Sequence, residues 1–190
     1  PALLAKITSN IDVMSGGRLY WGIGAGWYEH EYRAYGYGDE WLDGRADRWK
    51  GIMFDPDAEL DNHLPSSRDR IKMLRETVEI VKLMWSEPDA TYEGEFFSVH
   101  GAQCDPKPLQ QPNPPIWIGG GGEQLTLRVV ARYADRSNFG GKPDEFAHKV
   151  EVLKGHCAAV GRDIDEITMT WSPEVFIRES EQEIVDGGTR

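Results

Sequence analysis

Apolar positions along this chain fall into two kinds of run. Short runs that are apolar throughout alternate with longer stretches in which apolar residues return every three or four positions. Leu4, Ile7 and Ile11 share one helical face between Pro1 and Met14, and Gly16-Gly17 stops that helix. Arg18 to Ile23 then reads as a strand buried on both faces, because it shows no alternation. Ser66 to Trp85 carries the clearest stripe: Ile71, Leu74, Val78, Val81 and Trp85 are spaced three, four, three and four apart. Ser66 with Asp69 predicts a capping box at its start, and Pro88 forbids continuation past its end.

The same alternation continues downstream. Thr91 to Val99 predicts a small hairpin turning at Glu93-Gly94. A proline-rich segment, Pro106 to Pro115, leads into Ile116-Trp117-Ile118, a second buried strand, and Gly119 to Gly122 separates it from a helix predicted over Glu123 to Tyr133. Ala134 to Phe139 predicts a third strand. Pro143 suits a first helical position, with Asp144 and Glu145 favouring the positive helix end. Phe146, Val150, Leu153, Cys157 and Val160 then form the expected buried stripe, Gly161 ends it, and Ile167 to Ile177 reads as a last strand. Residues 28–65, rich in Asp, Gly, Pro and aromatics, predict a long excursion with one short helix near Asp43 to Ile52. A loop of that length inside a compact domain is usually functional or mobile. Repeated alternation of buried strands and amphipathic helices implies a parallel α/β architecture, without choosing between a closed barrel and an open sheet.

Composition changes the picture mainly by exclusion. The 190 residues suit one domain with one core. A net charge of −11, from 32 acidic against 21 basic residues, excludes nucleic acid as a partner and reads as a solubilising surface. Cys104 and Cys157 belong to no metal-ligand spacing, so no metal site is expected, and a reducing, cytoplasmic setting is inferred. No apolar stretch is long enough to span a membrane. The chain opens without Met inside a helical pattern and closes in a polar stretch, so a longer protein is expected.

Candidate chemistry concentrates at two strand ends, Gly22-Ile23-Gly24-Ala25-Gly26 and Gly119-Gly120-Gly121-Gly122. In parallel α/β folds ligands gather at the carboxyl ends of the strands. Without a Cβ the backbone can approach a flat ring or a phosphate closely. The second cluster also precedes a helix, whose positive end favours a phosphate; the plainer alternative is a tight strand-to-helix turn. The first cluster is no Rossmann fingerprint, because Trp27 stands where a third glycine is required.

Three runs carry a family resemblance. Pro1 to Lys6 with Ile11-Asp12-Val13-Met14-Ser15-Gly16-Gly17-Arg18-Leu19 and Gly22 to Trp27 resembles the luciferase-like monooxygenase superfamily around its fourth barrel strand. Pro106 to Gln110 with Pro114 to Gly120 is similar to the approach to the fifth strand, and Ala131-Arg132-Tyr133-Ala134-Asp135 to the entry into the sixth. The Gly-Ala-Gly-Trp form is similar to the branch that uses the deazaflavin F420. This resemblance implies a partial (β/α)8 TIM barrel over residues 1–190, with about strands 4 to 7 represented and the 28–65 segment on the active-site side.

The resemblance further implies F420, or alternatively FMN, at the carboxyl face. Gly24, Ala25 and Gly26 would lie near the ring, and Gly119, Gly120, Gly121 and Gly122 would bind the cofactor phosphate. Asn138 would contact the cofactor. Lys142 is read either as a substrate contact or as a solvated surface lysine, and Trp27 either as stacking on substrate or as capping the core. Glu29, His30 and Glu31 follow the turn; each alone reads as an exposed loop residue, and Glu31, then His30, are the acid–base candidates. The implied activity is hydride transfer between F420 and an organic substrate. The rivals are an FMN-dependent monooxygenase and a member that binds flavin without turnover. Implied partners are a small organic substrate, a flavin or F420 reductase and further copies of the full-length chain.

Overall fold

The computed structural model describes residues 1–28, 31–32, 35, 65–173, 177–180 and 182–183. Most of the expected excursion, including the helix near Asp43 to Ile52, therefore lies outside the described residues. The chain forms two compact units, one from residues 1–10 and 24–107, the other from residues 11–23 and 108–190.

The second unit carries a four-stranded parallel sheet. Helix α1 (Ala2–Ser15) ends in this unit and is followed by strand β1 (Trp21–Ile23). After the first unit's elements come β4 (Ile116–Gly119), α3 (Thr126–Tyr133), β5 (Arg136–Gly140), α4 (Pro143–Ala159), a 3-10 turn at Ile164–Glu166 and β6 (Thr168–Ser172). The sheet order is β1-β4-β5-β6, with every pairing parallel. Strand and helix alternate and each new strand adds beside the previous one, as in a sector of a β/α barrel.

Period-two alternation divides the sheet into two faces. Ile116, Ile118, Ser137 and Phe139 are buried, while Trp117, Gly119, Arg136, Asn138 and Gly140 between them are partly open. Phe146 of α4 packs its ring 4.8 Å from that of Phe139, which places α4 on the buried face. The apolar core behind the sheet includes Leu127, Val130 and Ala131 of α3 and Leu153 and Cys157 of α4. Burial pushes the Cys157 thiol up, the behaviour of a packing residue rather than a nucleophile. Val160 departs from the expected stripe: it is the C-cap of α4 and is exposed, because the helix ends before it can turn inward. Helix α3 likewise begins at Thr126 rather than Glu123, since residues 123–125 form a turn.

A buried carboxylate fixes the entry to this sheet. Asp12 is fully buried, and it accepts from the Gln110 backbone N–H (3.0 Å), Gln110 Nε2 (2.7 Å) and the Leu19 N–H (3.4 Å). Gln110 Nε2 also donates to Leu19 O at 2.8 Å. Burial alone would raise the Asp12 pKa, but the hydrogen bonds outweigh it and hold the carboxyl below its ordinary value of 3.8.

In the first unit, α1 contributes Ala5, Thr8 and Ser9 as buried residues, while Ile7 and Ile11 on the expected apolar face are 47% and 45% exposed. The buried side is polar because it is hydrogen-bonded: Ala5 O accepts from Trp85 Nε1 at 3.1 Å, and Ser9 Oγ donates to Pro106 O. Helix α2 (Ser67–Ser86) follows its sequence closely, with Ser66 Oγ accepting from Asp69 N at 3.1 Å. Its last carbonyls receive a cation, Lys107 Nζ, which donates to Met84 O at 2.8 Å and to Glu87 O.

The hairpin differs from expectation. Strands β2 (Ala90–Glu93) and β3 (Ser98–Ala102) flank a four-residue turn instead of closing at Glu93-Gly94. Glu76 of α2 is the reason. Its side chain is 0% exposed and accepts from Glu95 N (2.9 Å), Phe96 N (2.9 Å) and Phe97 N (3.0 Å), drawing those amides inward.

Two outcomes follow for the intact protein. Glu76→Ala would leave three amides without their acceptor and lower the free energy of unfolding by roughly 2–4 kcal/mol, read by urea denaturation. For Asp12 the folded carboxyl sits below the unfolded one, so its contribution is present above pH 3.8 and lost as pH falls through the folded value. Denaturation midpoints of Asp12→Asn measured from pH 6 to pH 3 should therefore fall less steeply than wild type. Parallel slopes would refute the Asp12 account.

Candidate functional site

The carboxyl ends of β4, β5 and β6 bring together residues that sequence had placed far apart. Gly119, Asn138 and Thr170 are ladder partners across three strands. Gly120 N donates to Asn138 O at 2.9 Å, extending the ladder into the glycine loop. Asn138 Nδ2 donates to Thr170 Oγ1 and Ser172 Oγ, each at 2.9 Å, and Ser172 Oγ lies 3.1 Å from Asn138 Oδ1. Thr170 Oγ1 in turn donates to Ser137 O at 3.1 Å. The Asn138 amide is thus fixed in orientation on the open face of the sheet. Thr170 and Ser172 were not singled out from sequence, although Thr168, Thr170 and Ser172 alternate at a period of two along β6, which is the signal that could have found them.

The loop at 119–122 has the donors that an anion requires. Among the described residues, the backbone amides of Gly121, Gly122, Glu123 and Gln124 have no hydrogen-bond acceptor. Leu125 precedes α3 without a side-chain cap, which leaves the positive end of that helix open. Space at Gly121 is tight: a Cβ there would stand 3.1 Å from both Phe139 Cβ and Lys149 Nζ, so those side chains would have to shift by a few tenths of an ångström. The loop therefore fits a phosphate group better than a minimal turn does, since a turn would spend its amides internally.

Lys142 is the residue from which α4 departs. Its N–H donates to Glu145 Oε2 at 3.1 Å and its side chain is exposed. Arg136, at the opposite end of β5, stands 4.8 Å from the Tyr20 ring centroid and 5.8 Å from that of Trp117. Such stacking at the amino ends of the strands serves stability.

The first unit holds the other glycine turn. Gly26 has φ +70°, and a Cβ on it would stand 2.2 Å from Tyr32 Oη, which donates to Ala25 O at 3.3 Å. Trp27 is 80% exposed, its ring 5.6 Å from that of Tyr28. Glu31 is exposed; its N–H donates to Tyr28 O at 3.1 Å and its carbonyl accepts from Tyr35 N at 3.0 Å. Glu29 and His30 lie outside the described residues. Among the described residues no group of three His, Cys, Asp or Glu side chains could hold a metal ion, and no helix is long and apolar enough to cross a membrane.

A parallel β/α sector with an amide-rich glycine loop at the carboxyl edge is the architecture of part of a β/α barrel. The chain belongs to the luciferase-like monooxygenase family, whose model matches residues 1–187. It is 25% identical over 201 aligned positions to the FMNH(2)-dependent dimethylsulfone monooxygenase of Pseudomonas putida, covering 98% of this chain and 48% of that protein. It is 29% identical over 140 positions to the F420-dependent glucose-6-phosphate dehydrogenase of Kineococcus radiotolerans, covering 74% of this chain and 32% of that protein. The coenzyme F420-dependent tetrahydromethanopterin reductase of Methanopyrus kandleri shares the fold, with a TM-score of 0.70 and 20% identity over 98% of this chain and 49% of that one. The chain thus spans about half the length of the dimethylsulfone monooxygenase and about a third of that of the glucose-6-phosphate dehydrogenase. Its fold is the luciferase-like β/α barrel, represented by part of the barrel.

Gly26→Ala should lower stability by about 1–2 kcal/mol in denaturant titration, because the new side chain meets both a left-handed backbone and Tyr32. A neutral result would show that the turn rearranges without cost.

Proposed function

We propose that the intact protein is an F420-dependent oxidoreductase that moves a hydride between the deazaflavin and a small organic substrate. The observation that carries this reading is the glycine loop of a luciferase-like chain, with amides of Gly121 to Gln124 unengaged and little room for a side chain at Gly121. When bound, the deazaflavin supplies two-electron hydride chemistry. In this reading Gly119, Gly120, Gly121 and Gly122 hold the cofactor phosphate, and Asn138, locked by Thr170 and Ser172, orients the adjoining tail. Gly24, Ala25 and Gly26 admit the ring at close range. Trp27 and Lys142 contact substrate from exposed positions, and Glu31, with His30 next in order, gives or takes the accompanying proton.

An FMN-dependent monooxygenase is the second reading. It is favoured by the match across 98% of this chain to a monooxygenase named for its use of FMNH(2). That activity would draw on a flavin reductase, and the first on an F420 reductase. We further propose that residues 1–190 contribute one partial barrel domain to the intact protein, which works in the cytoplasm as a homo-oligomer.

Titration of the full-length protein with F420 and with FMN, each followed by chromophore absorbance, tests both readings. Binding of F420 in preference to FMN is expected. Gly121→Asp should weaken the preferred cofactor roughly a hundredfold or more, since it brings a carboxylate into a tight space beside the phosphate. Unchanged affinity in that variant removes the phosphate assignment.

A further inference from the structure

Lys149 stands out once the glycine loop is known. It lies on α4, three residues after Phe146 and so on the same side of that helix, half-buried against the sheet. Its Nζ comes within 3.1 Å of where a Cβ on Gly121 would stand, and its Cδ within 3.2 Å. No hydrogen bond or ion pair engages this ammonium among the described residues. Two acidic side chains, one after the loop and one on α4, are engaged elsewhere: Glu123 Oε1 lies 3.4 Å from His148 Nε2, and Glu145 Oε2 accepts from Lys142 N.

The Lys149 ammonium has neither a hydrogen-bond nor an ion-pair partner among the described residues, so an anion held on the neighbouring loop would give it one. The loop beside it is all glycine and can supply no carboxylate of its own. What the loop does supply is a row of unengaged amides, and a group that satisfies amides and ammonium together must be a compact anion with several acceptor oxygens. We infer that Lys149 is the residue that selects a phosphorylated chromophore over its unphosphorylated counterpart, by pairing with the phosphate held on the Gly119–Gly122 loop. This rests on the proposed binding of a phosphorylated flavin or deazaflavin. It adds a determinant that neither the spacing of the glycines nor the order of the strands specifies. The plainer role for Lys149 is packing of its methylene stem on Phe139 and Gly121, with the charge left to solvent.

Methionine keeps that stem and removes the charge, which separates the two roles. The experiment compares equilibrium binding, by absorbance or fluorescence, of two matched pairs to the full-length protein. One pair is FMN and riboflavin; the other is F420 and the deazaflavin nucleoside lacking the phosphate tail. Wild type should prefer the phosphorylated member. Lys149→Met should lose roughly ten- to a hundredfold of affinity for it and none for the unphosphorylated member, and Lys149→Arg should restore most of the difference. The preference should also weaken with added salt in wild type but not in Lys149→Met. If wild type shows the preference and Lys149→Met keeps it in full, the role of Lys149 is overturned while the cofactor reading stands. If wild type binds both members of a pair equally, the selection itself is overturned. If wild type binds none of the four chromophores, the proposed function falls, and the inference with it.

Discussion

The second unit depends on one buried carboxylate. Asp12 accepts two hydrogen bonds from Gln110 and one from Leu19, and so ties the end of α1 to the residue before Tyr20 and to the proline-rich segment that precedes β4. Both segments are irregular, and their amides have no sheet or helix of their own to satisfy them. Without the carboxylate, burial at this point would carry the full cost of unpaired peptide groups. With it, Trp21 N reaches Pro115 O at 2.9 Å, and β1 meets β4 with Trp21 opposite Ile116. A parallel ladder propagates its register, so β5 and β6 inherit theirs from this start.

That inheritance is what produces the site. With Gly119 opposite Asn138 and Asn138 opposite Thr170, three strands deliver a glycine, an amide and a hydroxyl to one row of the open face. A slip of one residue in any strand would move its member of the row to the buried face among Ile118, Ser137 and Phe139. The polar side chains of the row then lock one another, and the glycine loop starts from a fixed point because Gly120 N is tied to Asn138 O.

Sequence periodicity revealed the elements well and the buried acids not at all. The stripe from Ile71 to Trp85 and the Ser66 cap were legible because spacing and capping are local, and α2 follows them. The strands at 21–23 and 116–119 were legible as apolar runs, although the first begins at Trp21 rather than Arg18 and neither is buried on both faces, since Gly22 is exposed and Trp117 partly open. Asp12 and Glu76 were not, since a charged residue reads as exposed by default and only its distant partners reverse that. The errors follow from this one blindness. Ile7 and Ile11 were placed inward when the inward residues are Ala5, Thr8, Ser9 and Asp12. The hairpin was closed two residues too tightly because the pull of Glu76 on residues 95–97 was invisible. At the site, the glycines could be chosen from their place at a strand end, and Asn138, expected after its strand, lies within β5, whereas Thr170, Ser172 and Lys149 matter only through what they face.

The two acid clamps also bear on the role proposed for the glycine loop. In the first unit, three consecutive amides, at Glu95, Phe96 and Phe97, converge on the oxygens of Glu76. In the second, the Gln110 and Leu19 amides converge on Asp12. Wherever this chain gathers irregular backbone donors around such a clamp, it supplies an acid of its own to receive them. At Gly121 to Gln124 it gathers donors again and supplies none: Glu123 turns to His148, and glycine side chains offer nothing. Exposed amides can be satisfied by water, so the loop is not strained in that state. A phosphate there would do for the loop what Glu76 does for the hairpin turn, except that it can leave. An acid built into the chain would hold the loop as firmly but would close the position to any ligand. The absence of such an acid at this strand end, in a chain that uses one at two other places, is what the proposed phosphate site requires.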